Sequence, residues 1–169
     1  MFIAKNNDLI VMAADTQAEL LEKLDCMVYS EILETTEYYI LHNGQYLPEN
    51  EVLQQLKAQK QQENTDMAKS AVENGHVVFK GAEFETNAQT VGDLTATMLL
   101  MQAGGLETYL WLSKDDQPIS LSIEDFGTLG GLIAEFKNTI WQEKYIAYKT
   151  QIEQAETIAA IENIVIEYE

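Results

Sequence analysis

Two histidines, one cysteine and a few neighbouring carboxylates are the residues of this 169-residue chain whose types could do chemistry. His42 stands just before an Asn-Gly pair and His76 just after Asn74-Gly75, so both belong to turns. Histidine works as a general acid or base near neutral pH when a partner orients it, and a turn histidine is ordinarily just solvated. Cys26 lies beside Met27 and Val28 near the end of a helical pattern. A nucleophilic cysteine needs a base within reach. The spacing supplies none, and Cys26 reads as a small buried apolar residue. The carboxylates of Asp115-Asp116, Glu124-Asp125 and the alternating Glu83 and Glu85 lack the spaced oxygen ligands of a calcium loop. No Cys/His cluster has zinc-ligand spacing. Gly104-Gly105 and Gly130-Gly131 match neither a dinucleotide-binding glycine pattern nor a P-loop. The residues therefore predict no catalytic centre, no metal, no cofactor and no enzyme.

Aromatic residues offer a different chemistry. Tyr38, Tyr39 and Tyr46 gather around one expected hairpin, and Trp141, Tyr145 and Tyr148 recur along a late helix. Such rings anchor interfaces and equally fill cores. For the late helix both readings stand. For the hairpin an interface is favoured, because the surrounding module is too small to bury three tyrosines alone. These six are the interface candidates.

The elements that must position them follow from turn signals and periodicity. Asn6-Asn7-Asp8, between Phe2-Ile3-Ala4 and Leu9-Ile10-Val11-Met12, predicts a tight β-hairpin. Asp15 or Thr16 caps a helix, with Glu19 three residues after Thr16 and a stripe of Leu20, Leu21, Leu24 and Val28. Glu31 to Leu41 reads largely as strand, and a second hairpin turns at Asn43-Gly44 and closes through Tyr46-Leu47. Residues 1–47 thus form a small hairpin-helix-hairpin module. Residues 48–74 predict a helix opening at Pro48-Glu49. After Val52, Leu53 and Leu56 it runs through KAQKQQENTD (57–66) with no large apolar residue, and apolar residues resume at Met67, Ala68, Ala71 and Val72. A helix polar on all sides bridges through solvent or is not stable, so this segment is expected to connect two domains.

Residues 75–169 predict a C-terminal domain. A hairpin turns at Lys80-Gly81, and a helix from Asn87 to Ala103 carries Val91, Leu94, Met98 and Met101 on one face before Gly104-Gly105 stops it. Strands Thr108–Leu112 and Pro118–Leu121 flank an acidic turn, and Ser122 with Asp125 opens a helix bearing Phe126, Leu129, Ile133, Phe136 and Ile140. Gly127, Gly130 and Gly131 lie inside that pattern, each at about 1 kcal/mol relative to Ala, which predicts close packing or a break, with close packing favoured. Further helix is expected from about Ile152, or the long helix continues to it, and a short last turn follows at 157–161. The fold class is α+β: the N-terminal module, a connector helix, and a domain of two β-hairpins packed with two or three helices.

Composition bounds the partners. There are 28 acidic residues against 10 basic ones, all Lys, for a net charge of -18. An acidic surface without Arg repels phosphate, so neither nucleic acid nor an anionic membrane is an expected partner. The charge is spread: residues 1–75 hold 13 acids and 5 Lys, net -8, and residues 76–169 hold 15 and 5, net -10. One cysteine forms no internal disulfide, the N-terminus lacks a secretory pattern, and no apolar run is long enough to span a bilayer. Synthesis and folding in a reducing cytoplasm are expected.

Residues 75–163 also carry an ordered series of motifs. "VVFKGAEFETN" is a hairpin ending in a helix cap, "YLWLSKDDQPISLSIEDF" is a Trp-bearing strand, acidic turn and returning strand that opens a helix, and "IEQAETIAAIENI" is two helical pieces split at Glu156-Thr157. The series resembles an uncharacterised C-terminal domain of bacteriophage tail and tail-fibre-associated proteins. Phe79, Gly81, Phe84, Trp111, Asp116, Ile119, Leu121, Phe126, Ile152, Ala155, Thr157, Ile161 and Ile164 occupy the comparable positions. Gln117 departs from the Asn usual after the turn Asp. The resemblance implies a virion-tail or assembly role, with tail or tail-fibre proteins as partners and a homo-oligomer or symmetric assembly. It supplies no catalytic residues. The alternative is an acidic inhibitor imitating nucleic acid to block a host nuclease; the even spread of charge gives no single carboxylate array for it.

Overall fold

The computed structural model describes residues 1–6, 9–24, 31–35 and 37–168. The chain divides into two compact units, Met1–Lys60 with Ala155–Asn163, and Gln61–Gln154 with Ile164–Glu169. It is α+β throughout.

In the first unit, β1 (Phe2–Asn6) pairs antiparallel with β2 (Leu9–Ala14). The register shifts between Ala4 and Lys5, a bulge that bends the ribbon. The expected turn at Asn7-Asp8 lies outside the described residues, as do Cys26 and Val28. Helix α1 (Gln17–Lys23) is capped by Thr16, whose hydroxyl accepts the Glu19 N–H at 3.2 Å. Ala4, Ala14, Leu20 and Leu24 form its core with Phe2, Val11, Met12 and Ile32 packed around them. Leu21, expected on the buried stripe, is exposed.

The segment 31–41 is not one strand. β3 (Glu31–Glu34) pairs with the free edge of β1, giving the order β2-β1-β3, while β4 (Tyr39–His42) pairs with β5 (Gln45–Pro48) in a separate hairpin. The cause is local. The Thr35 hydroxyl accepts the Glu37 N–H at 3.1 Å, a side-chain turn that competes with the ladder. The β4–β5 turn follows expectation, with Asn43 at φ 50° and Gly44 at φ 81°, the left-handed pair of a two-residue hairpin loop. Pro48 ends β5 and stands just before the helix, which opens at Glu49.

Helix α2 (Glu49–Asn74) runs unbroken through the polar stretch. The expectation of a helix polar and solvated all round through 57–66 fails at Asn64, which is fully buried, while buried Ala68 lies where apolar residues resume. Asn64 is buried with hydrogen-bond partners, so a polar residue serves where an apolar one was sought.

The second unit continues with the hairpin β6 (His76–Phe79) and β7 (Ala82–Glu85), turned by Lys80 at φ 50° and Gly81 at φ 79°. Buried Thr86 anchors it, donating its hydroxyl to the Val72 carbonyl at 2.7 Å and its N–H to the Gly75 carbonyl at 3.1 Å. Helix α3 (Ala88–Gly104) is capped by Asn87 and ended by Gly105 in the left-handed region. Strands β8 (Thr108–Leu112) and β9 (Pro118–Ser122) form the next hairpin, and the Lys114 N–H ties it to the Glu83 carbonyl at 2.8 Å. Ser122 and Asp125 make a reciprocal capping box at the start of α4 (Ile123–Asn138). Phe84, Leu94, Met101, Leu121, Phe126, Leu129 and Ile133 are the buried core. Trp111 meets Phe126 edge-on, with centroids 5.3 Å apart.

The α4 glycines correct the packing expectation in part. A Cβ on Gly130 would lie 3.5 Å from the Leu94 side chain, but one on Gly127 or Gly131 would meet nothing within 4 Å. The helix does not break there either. It passes into a π-helical stretch, Thr139–Tyr145, and on into α5 (Ile146–Gln154). The short α6 (Ile158–Glu162), capped by the Thr157 hydroxyl, contributes buried Ile161 to the first unit. Among the described residues no helix is long and apolar enough to cross a membrane.

Candidate functional site

The late aromatic residues meet the polar face of α2. Gln61, Asn64, Thr65 and Ala68 recur at helical spacings of three and four, and so share one side. The Gln61 amide donates to the Tyr145 hydroxyl at 3.1 Å, and the Asn64 amide donates to the Tyr145 carbonyl at 3.2 Å. The Tyr168 hydroxyl in turn donates to the Asn64 side-chain oxygen. Trp141 packs edge-on against Tyr145 at 5.3 Å. Tyr148 receives the Glu167 N–H and donates to the Glu167 carbonyl, each at 3.1 Å, with its ring 5.8 Å from Tyr168. Burial, then the neighbouring Tyr148 and Tyr145, push the Tyr168 hydroxyl up to about 12. Tyr145 and Tyr148 thus spend their polar tips inside the unit. Trp141 is half-buried and lines a hollow with Lys69, Val72 and Glu73.

The hairpin aromatics separate. Tyr39 is half-buried: its N–H points at the Met1 sulfur at 3.0 Å and its hydroxyl donates to Glu37 at 3.1 Å. Burial and that bond hold its hydroxyl above the ordinary tyrosine value. Tyr46 pairs across the hairpin with Leu41 and lines an open apolar hollow with Ile10, Val11 and Met12. Tyr38 alone is wide open, 63% exposed. It lines a second hollow with Glu37, Pro48, Glu49, Asn50 and Glu51. A phenol face rimmed by three carboxylates suits a partner cation, which gains from the ring and from the acids together.

Among the described residues, those with catalytic potential do not converge. His42 is half-buried, and its Nε2 is enclosed without a hydrogen-bond partner. His76 is exposed, its Nε2 3.7 Å from Glu83, which also holds Lys114 at 3.4 Å. Asp115 and Asp116 sit in the β8–β9 turn, and Asp125 serves the helix cap and Lys80 at 2.6 Å. The Lys80 bond, then the Ser122 N–H, hold the Asp125 carboxyl below its ordinary value. Among the described residues no three His, Cys, Asp or Glu side chains gather as a metal site would require.

Other exposed apolar residues lie outside the six aromatic candidates. Leu99 and Leu100 stand on α3, and Leu110 and Leu112 on β8. The sequence signal that finds the first pair is the near absence of charge in α3, where Asp93 is the one charged residue.

Fold and site together define an α+β protein whose distinctive chemistry is aromatic and apolar surface on a strongly acidic chain. The chain belongs to the family described as Domain of unknown function (DUF4376), which it matches over residues 52–167. That span opens in the first turn of α2, so the helix is part of the family's domain. No curated protein matches the chain, and no solved structure does.

Proposed function

We propose that this protein is a non-enzymatic component of a bacteriophage tail, a fibre-associated adaptor or fibre assembly factor that acts through protein–protein contacts. The ordered motifs of residues 75–163 support the tail assignment. The observation that carries the binding mode is Tyr38, exposed at 63% beside Glu37, Glu49 and Glu51. An interface needs a large ring at its centre and complementary charge at its rim. The partner's matching surface is basic, with a Lys or Arg over the Tyr38 ring. In this role the protein is made in the host cytoplasm and works on the virion tail.

Binding to purified bacteriophage tail-fibre protein tests this reading. Tyr38→Ala is expected to weaken binding by roughly 2 kcal/mol, the scale of an interface anchor. Rising salt is expected to slow association, because the rim attraction is screened. Salt-independent binding unaffected by Tyr38→Ala would remove Tyr38 as the anchor.

A further inference from the structure

Trp141 sits in the one π-helical stretch among the described residues, Thr139–Tyr145. Bonding from i to i+5 is rare and gathers at functional sites. The ring is held in place. It meets Tyr145 edge-on at 5.3 Å, and the Tyr145 hydroxyl accepts from the Gln61 amide at 3.1 Å. Within the same unit lies an open hollow of about 480 Å³, lined by Lys69, Ser70, Val72, Glu73 and Asn74 of α2 and by Trp141 itself. That volume falls within the roughly 300–1,000 Å³ of small-ligand sites.

The polar groups of the hollow are unspent. Lys69 and Glu73 stand one turn apart with Lys first, the order a helix pairs less well. Among the described residues neither has an ion-pair partner. The Trp141 indole N–H has no hydrogen-bond partner among them either and is open to solvent. The Asn74 amide nitrogen donates to the Ser70 carbonyl at 3.0 Å and to the Ser70 hydroxyl at 3.1 Å. This fixes both side chains and leaves the Ser70 proton and the Asn74 side-chain oxygen for another molecule.

We infer that this hollow binds a neutral sugar, one face of its pyranose ring stacked on Trp141. Charge selects a neutral ligand. An anion that gains from Lys69 loses to Glu73, and a cation the reverse. A neutral molecule is also not repelled by the net charge of -18. The mixture of groups selects hydroxyls. The indole N–H, the ammonium and the serine hydroxyl donate, Glu73 and the Asn74 oxygen accept, and a sugar hydroxyl does both. The indole selects a pyranose, whose C–H groups carry partial positive charge towards the negative face of the ring. A peptide amide offers one donor and one acceptor against these five groups. The inference does not rest on the tail assignment, and a protein that ignores tail-fibre protein but binds sugar would leave it standing.

Saturation-transfer difference NMR of the full chain with glucose, galactose, mannose, N-acetylglucosamine and their disaccharides tests it. At least one is expected to take up saturation at its ring C–H protons. Trp141→Ala is expected to weaken binding roughly tenfold or more. Trp141→Phe, which keeps a ring against Tyr145 but lacks the N–H, is expected to weaken it severalfold. Lys69→Met and Glu73→Gln, on exposed residues, are expected to do the same with the helical circular dichroism retained. No transfer to any of these sugars overturns the inference. So does transfer that survives Trp141→Ala, or binding of glucuronic acid or glucosamine in preference to every neutral sugar. Tail-fibre protein binding that Trp141→Phe abolishes, with no sugar bound, overturns it too and gives the hollow to a protein partner.

Discussion

Asn64 shows how a single polar residue decides where a helix is buried. It is fully enclosed, it donates to the Tyr145 carbonyl, and it accepts from Tyr168. Removing it takes a hydrogen bond from two half-buried groups, which costs about 1–2 kcal/mol. Asn64→Ala is therefore expected to lower the unfolding midpoint of the second unit clearly. Gln62→Ala, on an exposed residue two positions away, is expected to change stability by no more than about 0.5 kcal/mol. Thermal unfolding of both variants checks the contrast. Tyr168 carries the pH counterpart. Its hydroxyl is raised from 10.0 to about 12 in the fold, chiefly by burial. The neutral form is the one the fold favours, so its contribution is intact below pH 10.0 and is lost as pH climbs towards about 12. Ultraviolet titration should show a late phenolate phase that Tyr168→Phe removes. A single phase at the ordinary tyrosine value would contradict this account of the pocket.

Within the elements, glycines separate packing from propensity. At Gly75 an added Cβ would lie 2.6 Å from the Ala71 carbonyl oxygen and from the Phe136 ring. Gly75→Ala should destabilise by about 1–3 kcal/mol through overpacking. Gly127 and Gly131 have open space, and Gly127→Ala and Gly131→Ala should each stabilise by up to about 1 kcal/mol. Urea unfolding at unchanged m-value reads both signs. The same scale tells what the sequence made legible. Caps and turns were readable because one or two residues determine them: Thr16, Asn87, Ser122 with Asp125, Asn43-Gly44 and Lys80-Gly81 all act where the pattern puts them. The split of 31–41 was not, because it depends on which free edge β3 finds and on the Thr35 hydroxyl. The burial of α2 was hidden for a related reason. Its contacts are hydrogen bonds to Tyr145 and Tyr168, more than 80 residues away, and hydrophobic periodicity has no term for them. Among the aromatic candidates, spacing could not separate Tyr38, which is open, from Tyr145 and Tyr148, whose hydroxyls are bonded internally.

For the whole molecule, charge and apolar surface divide the work. The net charge of -18 is shared by both halves of the chain, so no single pocket accounts for it. It keeps copies apart and favours basic partners. The absence of Arg matters equally: the guanidinium that commonly anchors interfaces is missing, and contact must be made through rings, leucines, carboxylates and Lys. The proposed adaptor therefore meets its partner with Tyr38 and its acidic rim. Size-exclusion chromatography with light scattering, on the full chain alone and mixed with purified bacteriophage tail-fibre protein, tests the central claim most directly. The account predicts a stoichiometric complex that Tyr38→Ala weakens. A chain that elutes unchanged in the presence of every tail protein offered to it would contradict it.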